Sequence, residues 1–290
     1  MLNYEVKSSK YSTIRDILKN EFIISNRLLI KLKKEKRIFV NNKNQYIDYK
    51  VSIGDIVTVD IDFDEESDNI VPNDNIEISV IYEDSFLIVL NKDPFMPIHP
   101  SQNHYTDSLS NGLKAYYIKN DIKRKIRPVT RLDKDTSGLV VFAKSDYIQE
   151  CLVKQMKDGT FKKRYIAILN GKLDKESGII EANISRKSDS IIEREISTDG
   201  DYAKSEYKLI RYDSKNDISY VEFTLHTGRT HQIRVHSKYL CHPIIGDTLY
   251  GTKSDLISRQ ALHAYDISFI HPITHKQLEF KIDLPNDMKI

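Results

Sequence analysis

The stretch Val129-Thr130-Arg131-Leu132-Asp133-Lys134-Asp135-Thr136-Ser137-Gly138-Leu139 limits the folds open to this chain more than any other. Basic, acidic and turn-forming residues crowd into it, and the apolar run Val140-Val141-Phe142-Ala143 follows at once. That pattern predicts a loop delivering polar groups to the mouth of a buried strand. Loops held by a rigid strand are where proteins place reactive side chains. Asp133 is the candidate reactive group, with Arg131 two residues before it and Lys134 and Asp135 directly after. Taken alone, Asp135-Thr136-Ser137-Gly138 is also good turn chemistry, so a purely structural turn remains an alternative at this point.

A second polar constellation is Leu225-His226-Thr227-Gly228-Arg229-Thr230-His231-Gln232-Ile233-Arg234-Val235-His236. Here a strand is expected to end, Thr227-Gly228 to turn the chain, and a helix to begin near Thr230. Arg229 falls at the junction, placed to reach back across a cleft. His231, Arg234 and Val235 share one helical face. Three histidines raise the question of zinc, but His231 and His236 are separated by about 140° around a helix. No carboxylate or cysteine accompanies them locally, so no metal site is expected. The histidines read as hydrogen-bonded scaffold or, for His231, as a phosphate contact.

The rest of the body is strand-rich with a few packed helices. Phe86–Leu90 reads as a buried strand, and the prolines of residues 91–100 stiffen the loop after it. Asp107–Tyr117 and Tyr147–Met156 read as helices, the second carrying Cys151 as a core residue. Strands are expected over residues 161–169, 202–210, 219–225, 267–270 and 277–282. Lys163 and Tyr165 lie two apart on the first of these and share a face. Lys162-Lys163-Arg164 beside that tyrosine suits a phosphate and a stacked base. Residues 171–200 read as hairpins or a surface excursion offering Arg186, Lys187 and Arg194 to RNA. The fold class is α+β with an antiparallel or mixed sheet.

At 290 residues the chain suits two domains, or one large domain with an appendage. Charge separates a head from a body. Residues 1–60 carry twelve Lys or Arg against seven Asp or Glu, while residues 61–78 carry seven acids and no base. Like charges predict an extended, solvated joint over 61–78. The head reads as two helices, the first capped at Thr13-Ile14-Arg15-Asp16 and the second at Ser25, followed by short strands. Arg27, Lys31 and Lys34 on the second helix are candidates for RNA-backbone contact. No long apolar run or signal peptide is read, and Cys151 and Cys241 suggest no disulfide framework, so a soluble cytoplasmic protein is expected, with a monomer as the default.

The head's order of basic helix, Val40-Asn41-Asn42-Lys43 turn and Gly54-Asp55-Ile56-Val57 strand entry resembles the S4 RNA-binding domain, with Lys36 or Arg37 where a glycine is usual. The body, from residue 79 onwards, resembles the RluA/RluD-type RNA pseudouridine synthases. The resemblance rests on Arg131–Leu139, Lys163-Arg164-Tyr165 and Thr227–His236, supported by Val89–Lys92, His99-Pro100, His242–Asp247 and Leu262-His263-Ala264. Thr130 stands where that family commonly has histidine, and Lys92–Pro97 departs from its usual Lys-Pro-x-Gly run.

The resemblance implies a bent, mostly antiparallel sheet in two halves with RNA in the cleft, over residues 79–290. It implies conversion of uridine to pseudouridine in structured RNA, most readily large-subunit ribosomal RNA, with transfer RNA as the other substrate class. Asp133 would be the catalytic carboxylate and Arg229 its ion-pair partner. Tyr165 would pack against uracil and move a proton, and Arg131 would occupy the space the base vacates. Leu132, Lys163, Ile233 and Arg234 would line the substrate pocket. No organic cofactor or metal is implied. A catalytically silent RNA-binding or ribosome-assembly protein and a metal-dependent nuclease or phosphatase are the competing classes.

Overall fold

The computed structural model describes residues 1–65 and 68–290. The head contains β1 (Leu2–Glu5), α1 (Ile14–Asn20), α2 (Asn26–Lys34), β2 (Ile38–Val40), β3 (Lys43–Asn44) and β4 (Ile56–Val59). Its strands form an antiparallel sheet in the order β1-β4-β2-β3. Thr13 caps α1 in a reciprocal capping box with Asp16, and the Ser25 side chain accepts from the Leu28 N–H to cap α2. Leu28, Leu29 and Leu32 turn inward onto Ile38, Val57 and Val59. Lys36 leaves the helix at φ 52°, the left-handed region that favours glycine.

The acidic joint is irregular and keeps Asp62, Asp64, Asp74 and Glu77 exposed, as its local charge predicts, but two of its acids are drawn against the rest of the chain. The Glu65 side chain is only 5% exposed and accepts two hydrogen bonds from Arg127, at 2.6 and 2.7 Å, and one from Lys31 at 2.5 Å. Asp62 and Asp64 pair with Arg124, and Asp68 with Lys114. A local charge sum cannot see these partners, because they come from segments more than thirty positions away in the chain. Glu66 and Ser67 of the expected joint lie outside the described residues. Lys31 also bonds Asp146 at 2.6 Å, so it ties head to body and is not free to meet RNA.

The body continues with β5 (Ser79–Glu83), β6 (Leu87–Lys92), α3 (Leu109–Lys119), β7 (Arg127–Pro128), β8 (Ser137–Ala143) and α4 (Asp146–Asp158). Next come β9 (Lys162–Asn170), β10 (Ser177–Glu181), β11 (Ile184–Arg186), β12 (Arg194–Ile196), β13 (Lys204–Asp213) and β14 (Ile218–Leu225). Helix α5 (Gln232–Tyr239), β15 (Leu262–Ile270) and β16 (Gln277–Lys281) complete it. The main sheet runs β10-β13-β14-β9-β15-β8-β6-β5, with β16 beside β15 and β7 beside β8. It is an α+β architecture, and the β15–β8 contact is the one parallel pairing among the described strands of this sheet.

Strand β8 is buried along its whole length, as its unbroken apolar sequence requires. Val140 and Phe142 face α3 with Ile88 and Leu90, while Leu139, Val141 and Ala143 face α4 and the head's core. The period of two thus sends alternate side chains to opposite layers. One register line crosses the sheet through Phe223, Tyr165, Ala264, Gly138 and Lys92. It brings β9 and β6 to the start of β8, where the polar 129–139 loop ends. Among the described residues no helix is long and apolar enough to cross a membrane.

Gly138 is the tightest point of this seam. It has φ +119°, and an added Cβ would lie 2.3 Å from the Ala264 carbonyl oxygen. Gly138→Ala is expected to cost about 4 kcal/mol or more, since strain and a backbone clash combine. Thermal unfolding should show a midpoint lowered by about 10 °C. Gly54→Ala is the control: its φ is +94°, but nothing lies within 4 Å of the added carbon. A matching loss in both variants would show that conformation alone, and not the β8–β15 approach, sets the cost.

Candidate active site

The 129–139 loop is gripped through its backbone. The Thr130 hydroxyl accepts from the Val141 N–H, and the Asp133 carbonyl from the Thr136 N–H. The buried Lys92 ammonium donates to the carbonyls of Lys134, Asp93 and Met96 at 2.7–2.9 Å. Burial pulls Lys92 down to about 7, although the carboxylates of Asp135 and Asp133 work against it. From behind, the buried Arg259 donates to the Asp135 carbonyl and the Ser137 hydroxyl while Asp287 holds it by two hydrogen bonds. These contacts hold the loop against a cleft of about 920 Å³, to which it presents Asp133 together with Arg131, Leu132 and Lys134.

The carboxylate's partner is Arg234. Its guanidinium donates one N–H to Asp133 Oδ2 at 3.1 Å and two more to Asp247 at 2.7 and 2.9 Å. Asp247 is 1% exposed and also accepts the N–H groups of Leu249 and Tyr250. Burial opposes the Arg234 charge, but its bonds to Asp247 and the fields of Asp247 and Asp133 outweigh that and raise its pKa. Asp133 Oδ1 takes no hydrogen bond among the described residues, so this oxygen is free for a ligand.

Arg229, expected to pair with Asp133, does not. Its Nε donates to the Tyr202 carbonyl at 3.0 Å, and its guanidinium lies 3.4 Å from Asp201. The cause is local. Helix α5 begins at Gln232, two residues later than expected, and the Gln232 side chain accepts from the Arg229 N–H and the Thr227 hydroxyl. Arg229 therefore belongs to a turn that lines the cleft but bonds Asp201 and Tyr202 just before β13. Arg234, inside the helix, is the residue that turns toward Asp133.

His231, expected as a phosphate contact, also enters the site. Its Nε2 lies 3.8 Å from Asp133 Oδ2, and its Nδ1 is 2.8 Å from the Tyr250 hydroxyl. His236 is scaffold: its Nε2 donates to the Ala182 carbonyl and its Nδ1 accepts from Ser205.

Tyr165, Lys163, Leu132, Ile233 and Arg131 line the same cleft. Tyr165 is buried, and burial together with the Asp133 charge raises its pKa and keeps the phenol protonated. Lys163 has no hydrogen-bond or ion-pair partner among the described residues, and burial lowers its pKa. Lys162, Arg186, Arg27 and Lys34 are exposed and lie outside the cleft lining. Among the described residues no group of three or more His, Cys, Asp or Glu is placed to hold a metal ion. Lys92, Gln232 and Asp247 fall within segments that carry the family resemblance, but their roles, like those of Tyr250 and Arg259, show only through partners brought to them by the fold.

Residues 86–239 match the RNA pseudouridylate synthase family. The chain belongs to that family. It is 37% identical over 269 residues to the uncharacterized RNA pseudouridine synthase YjbO of Bacillus subtilis, covering 92% of this chain and 94% of the relative. It is 36% identical to the ribosomal large subunit pseudouridine synthase D of Zymomonas mobilis, covering 83% and 80%. The fold is similar to that of human RNA pseudouridylate synthase domain containing 1, with a TM-score of 0.59, 24% identity, and 71% and 83% of the two chains covered.

The synthase isomerises uridine in structured RNA to pseudouridine. In that reaction the N1–C1′ bond breaks and a C5–C1′ bond forms. The hydrogen on C5 leaves as a proton, and N1 gains one. No electrons or groups are exchanged with an outside reagent. The site of this synthase offers a fixed carboxylate, a protonated phenol and a cationic wall to such a substrate. A uridine in folded RNA must leave its stack to reach a carboxylate recessed in a cleft.

Proposed function

We propose that this synthase modifies a uridine of large-subunit ribosomal RNA, with Asp133 as its catalytic carboxylate and Arg234 as the partner that aims it. The observation that carries the site assignment is the Arg234 fork, which gives one N–H to Asp133 and two to the buried Asp247. A bidentate anchor on one carboxylate fixes the direction of the bond to the other. Attack at the sugar, attack on the base and elimination through a glycal all need an ionised carboxylate at this place. Tyr165 packs against the uracil and moves a proton in the closing steps. Arg131, exposed at the cleft, occupies the space vacated by the flipped base. Leu132 and Ile233 form the apolar wall, and Lys163 adds an amine unpaired among the described residues.

The same reading assigns residues 1–60 to an S4-like RNA-binding domain, 61–78 to the joint and 79–290 to the catalytic domain. The helix-turn-strand order and the left-handed Lys36, where that domain usually carries glycine, support the assignment. Arg27 and Lys34 are its exposed phosphate contacts, with Arg186 and Lys162 as further ones on the body. The ribosomal target is supported by the large-subunit synthases of Zymomonas mobilis and Neisseria meningitidis, 36% and 35% identical to this chain. We place the protein in the cytoplasm as a monomer.

The test is tritium release from RNA labelled at uracil C5, comparing unmodified large-subunit RNA, small-subunit RNA and transfer RNA. Stoichiometric release from the large-subunit RNA alone is expected. Release from transfer RNA alone would replace the ribosomal target, and no release from any of the three RNAs would favour the silent RNA-binding reading.

A further inference from the structure

The imidazole of His231 is hydrogen-bonded at Nδ1 and faces Asp133 with Nε2, and these two neighbours leave little freedom in where its proton sits. The Tyr250 hydroxyl lies 2.8 Å from Nδ1, and the same oxygen accepts the Arg194 backbone N–H at 2.8 Å. Tyr250 is 5% exposed. Among the described residues its one hydroxyl proton has a single acceptor in reach, the Nδ1 lone pair. If Nδ1 carried the proton instead, the buried O–H would lose its acceptor, a costly arrangement. The Nε2 lone pair would also face the Asp133 carboxylate at 3.8 Å, an unfavourable contact. Both arguments place the N–H on Nε2, pointing at Asp133 Oδ2.

We propose that His231 is a positioning residue for the isomerisation, bracing Asp133 Oδ2 through an Nε2–H whose tautomer is fixed by Tyr250 and the β11–β12 hairpin. The inference rests on Asp133 being the catalytic carboxylate. Arg234 bonds Oδ2, the His231 Nε2 approaches the same oxygen to 3.8 Å, and Oδ1 is left to the nucleotide. The 3.8 Å separation shortens when the cleft fills, as hydrogen bonds of empty sites commonly do. Burial lowers the His231 pKa against the pull of Asp133, with Arg234 and Arg194 helping, so a neutral donor is consistent with the geometry. The backbone is strained in support of this placement. His231 takes φ 57° at the start of α5, yet its side chain caps no helical N–H. The hairpin's part is specific. Strands β11 and β12 pair only with each other among the described strands, and Arg194 of β12 supplies the N–H that turns the Tyr250 proton toward His231.

The experiment uses the full chain and C5-tritiated ribosomal RNA at saturating protein, with RNA affinity measured separately. His231→Gln keeps an amide N–H near the Nε2 position and is expected to react within about threefold of the parent. His231→Phe fills the volume without a donor, and His231→Asn suits the left-handed backbone but is too short to reach Asp133. Both are expected to react about tenfold to a hundredfold slower, with RNA affinity within about twofold. The 15N spectrum of the His231 ring, assigned by its absence in the Gln variant, should show Nε2 protonated at neutral pH. In Tyr250→Phe it should show mixed tautomers and up to about a tenfold slower step. A glutamine variant no faster than the phenylalanine one, a fast asparagine variant or an Nδ1-protonated ring would each overturn the proposal. Should the phenylalanine variant not fold, the ring spectrum and Tyr250→Phe still decide it. An active Asp133→Asn protein would instead remove the catalytic assignment on which the proposal rests.

Discussion

Replacing Asp133 with asparagine is expected to slow tritium release from C5-labelled RNA by about 10⁴-fold or more, the scale seen when one essential catalytic group is removed. Asparagine matches the side chain in shape but carries no charge. It can offer Arg234 an amide oxygen, but it cannot attack a carbon or take a proton in cleavage of the glycosidic bond. The structure separates this loss from collapse of the site. Arg234 keeps its two bonds to Asp247 when Asp133 is neutral, and the 129–139 loop keeps the backbone grips of Lys92 and Arg259. The unfolding midpoint should therefore move by no more than about 3 °C, and RNA affinity by no more than about threefold. A variant that still releases tritium at the parent rate would remove Asp133 from the chemistry. Equal losses in rate and affinity would make it a binding residue.

What the sequence reveals about this site follows from how far each signal reaches. The Asp133 loop and its strand are legible because polar crowding and the apolar run 140–143 are neighbours in the chain. Lys163 and Tyr165 share the cleft because a strand has period two, and that rule needs no partner. The basis fails between Arg229 and Arg234. Which arginine faces Asp133 depends on where α5 starts, and its cap is His231 in a left-handed conformation, outside the usual capping chemistry. Two residues of helix start rotate the face by about 200°, enough to exchange a buried arginine for a solvent-facing one. The acidic joint fails for a different reason. Its charge is real and leaves Asp74 and Glu77 exposed, but Arg124, Arg127, Lys31 and Lys114 pair its other described acids from far along the chain. Strand β1 has only four residues, and its partner β4 is more than fifty positions away, so no local pattern announces it.

The exchange of roles between the two arginines can be measured directly. Arg234→Lys is expected to slow the single-turnover rate by about a hundredfold or more, because one ammonium cannot reproduce a fork that serves two carboxylates. Arg234→Met keeps the volume but leaves Asp247 buried with only backbone donors. Breaking a buried pair in this way should cost about 3–5 kcal/mol. That loss corresponds to an unfolding midpoint lower by about 10 °C. Arg229→Ala removes a side chain that is 41% exposed and bound to a carbonyl and a surface aspartate. Its midpoint should stay within about 2 °C. Its rate loss should stay within about tenfold, expressed chiefly in KM, as for a residue that meets RNA at the cleft's rim. Thermal unfolding and single-turnover tritium release on the three variants give the answer together. If Arg229→Ala is slower than Arg234→Lys at saturating protein, Arg229 must swing inward when RNA binds, and the partner of Asp133 changes between the free and bound enzyme. If the order is as expected, the ion pair seen without RNA is the one that works.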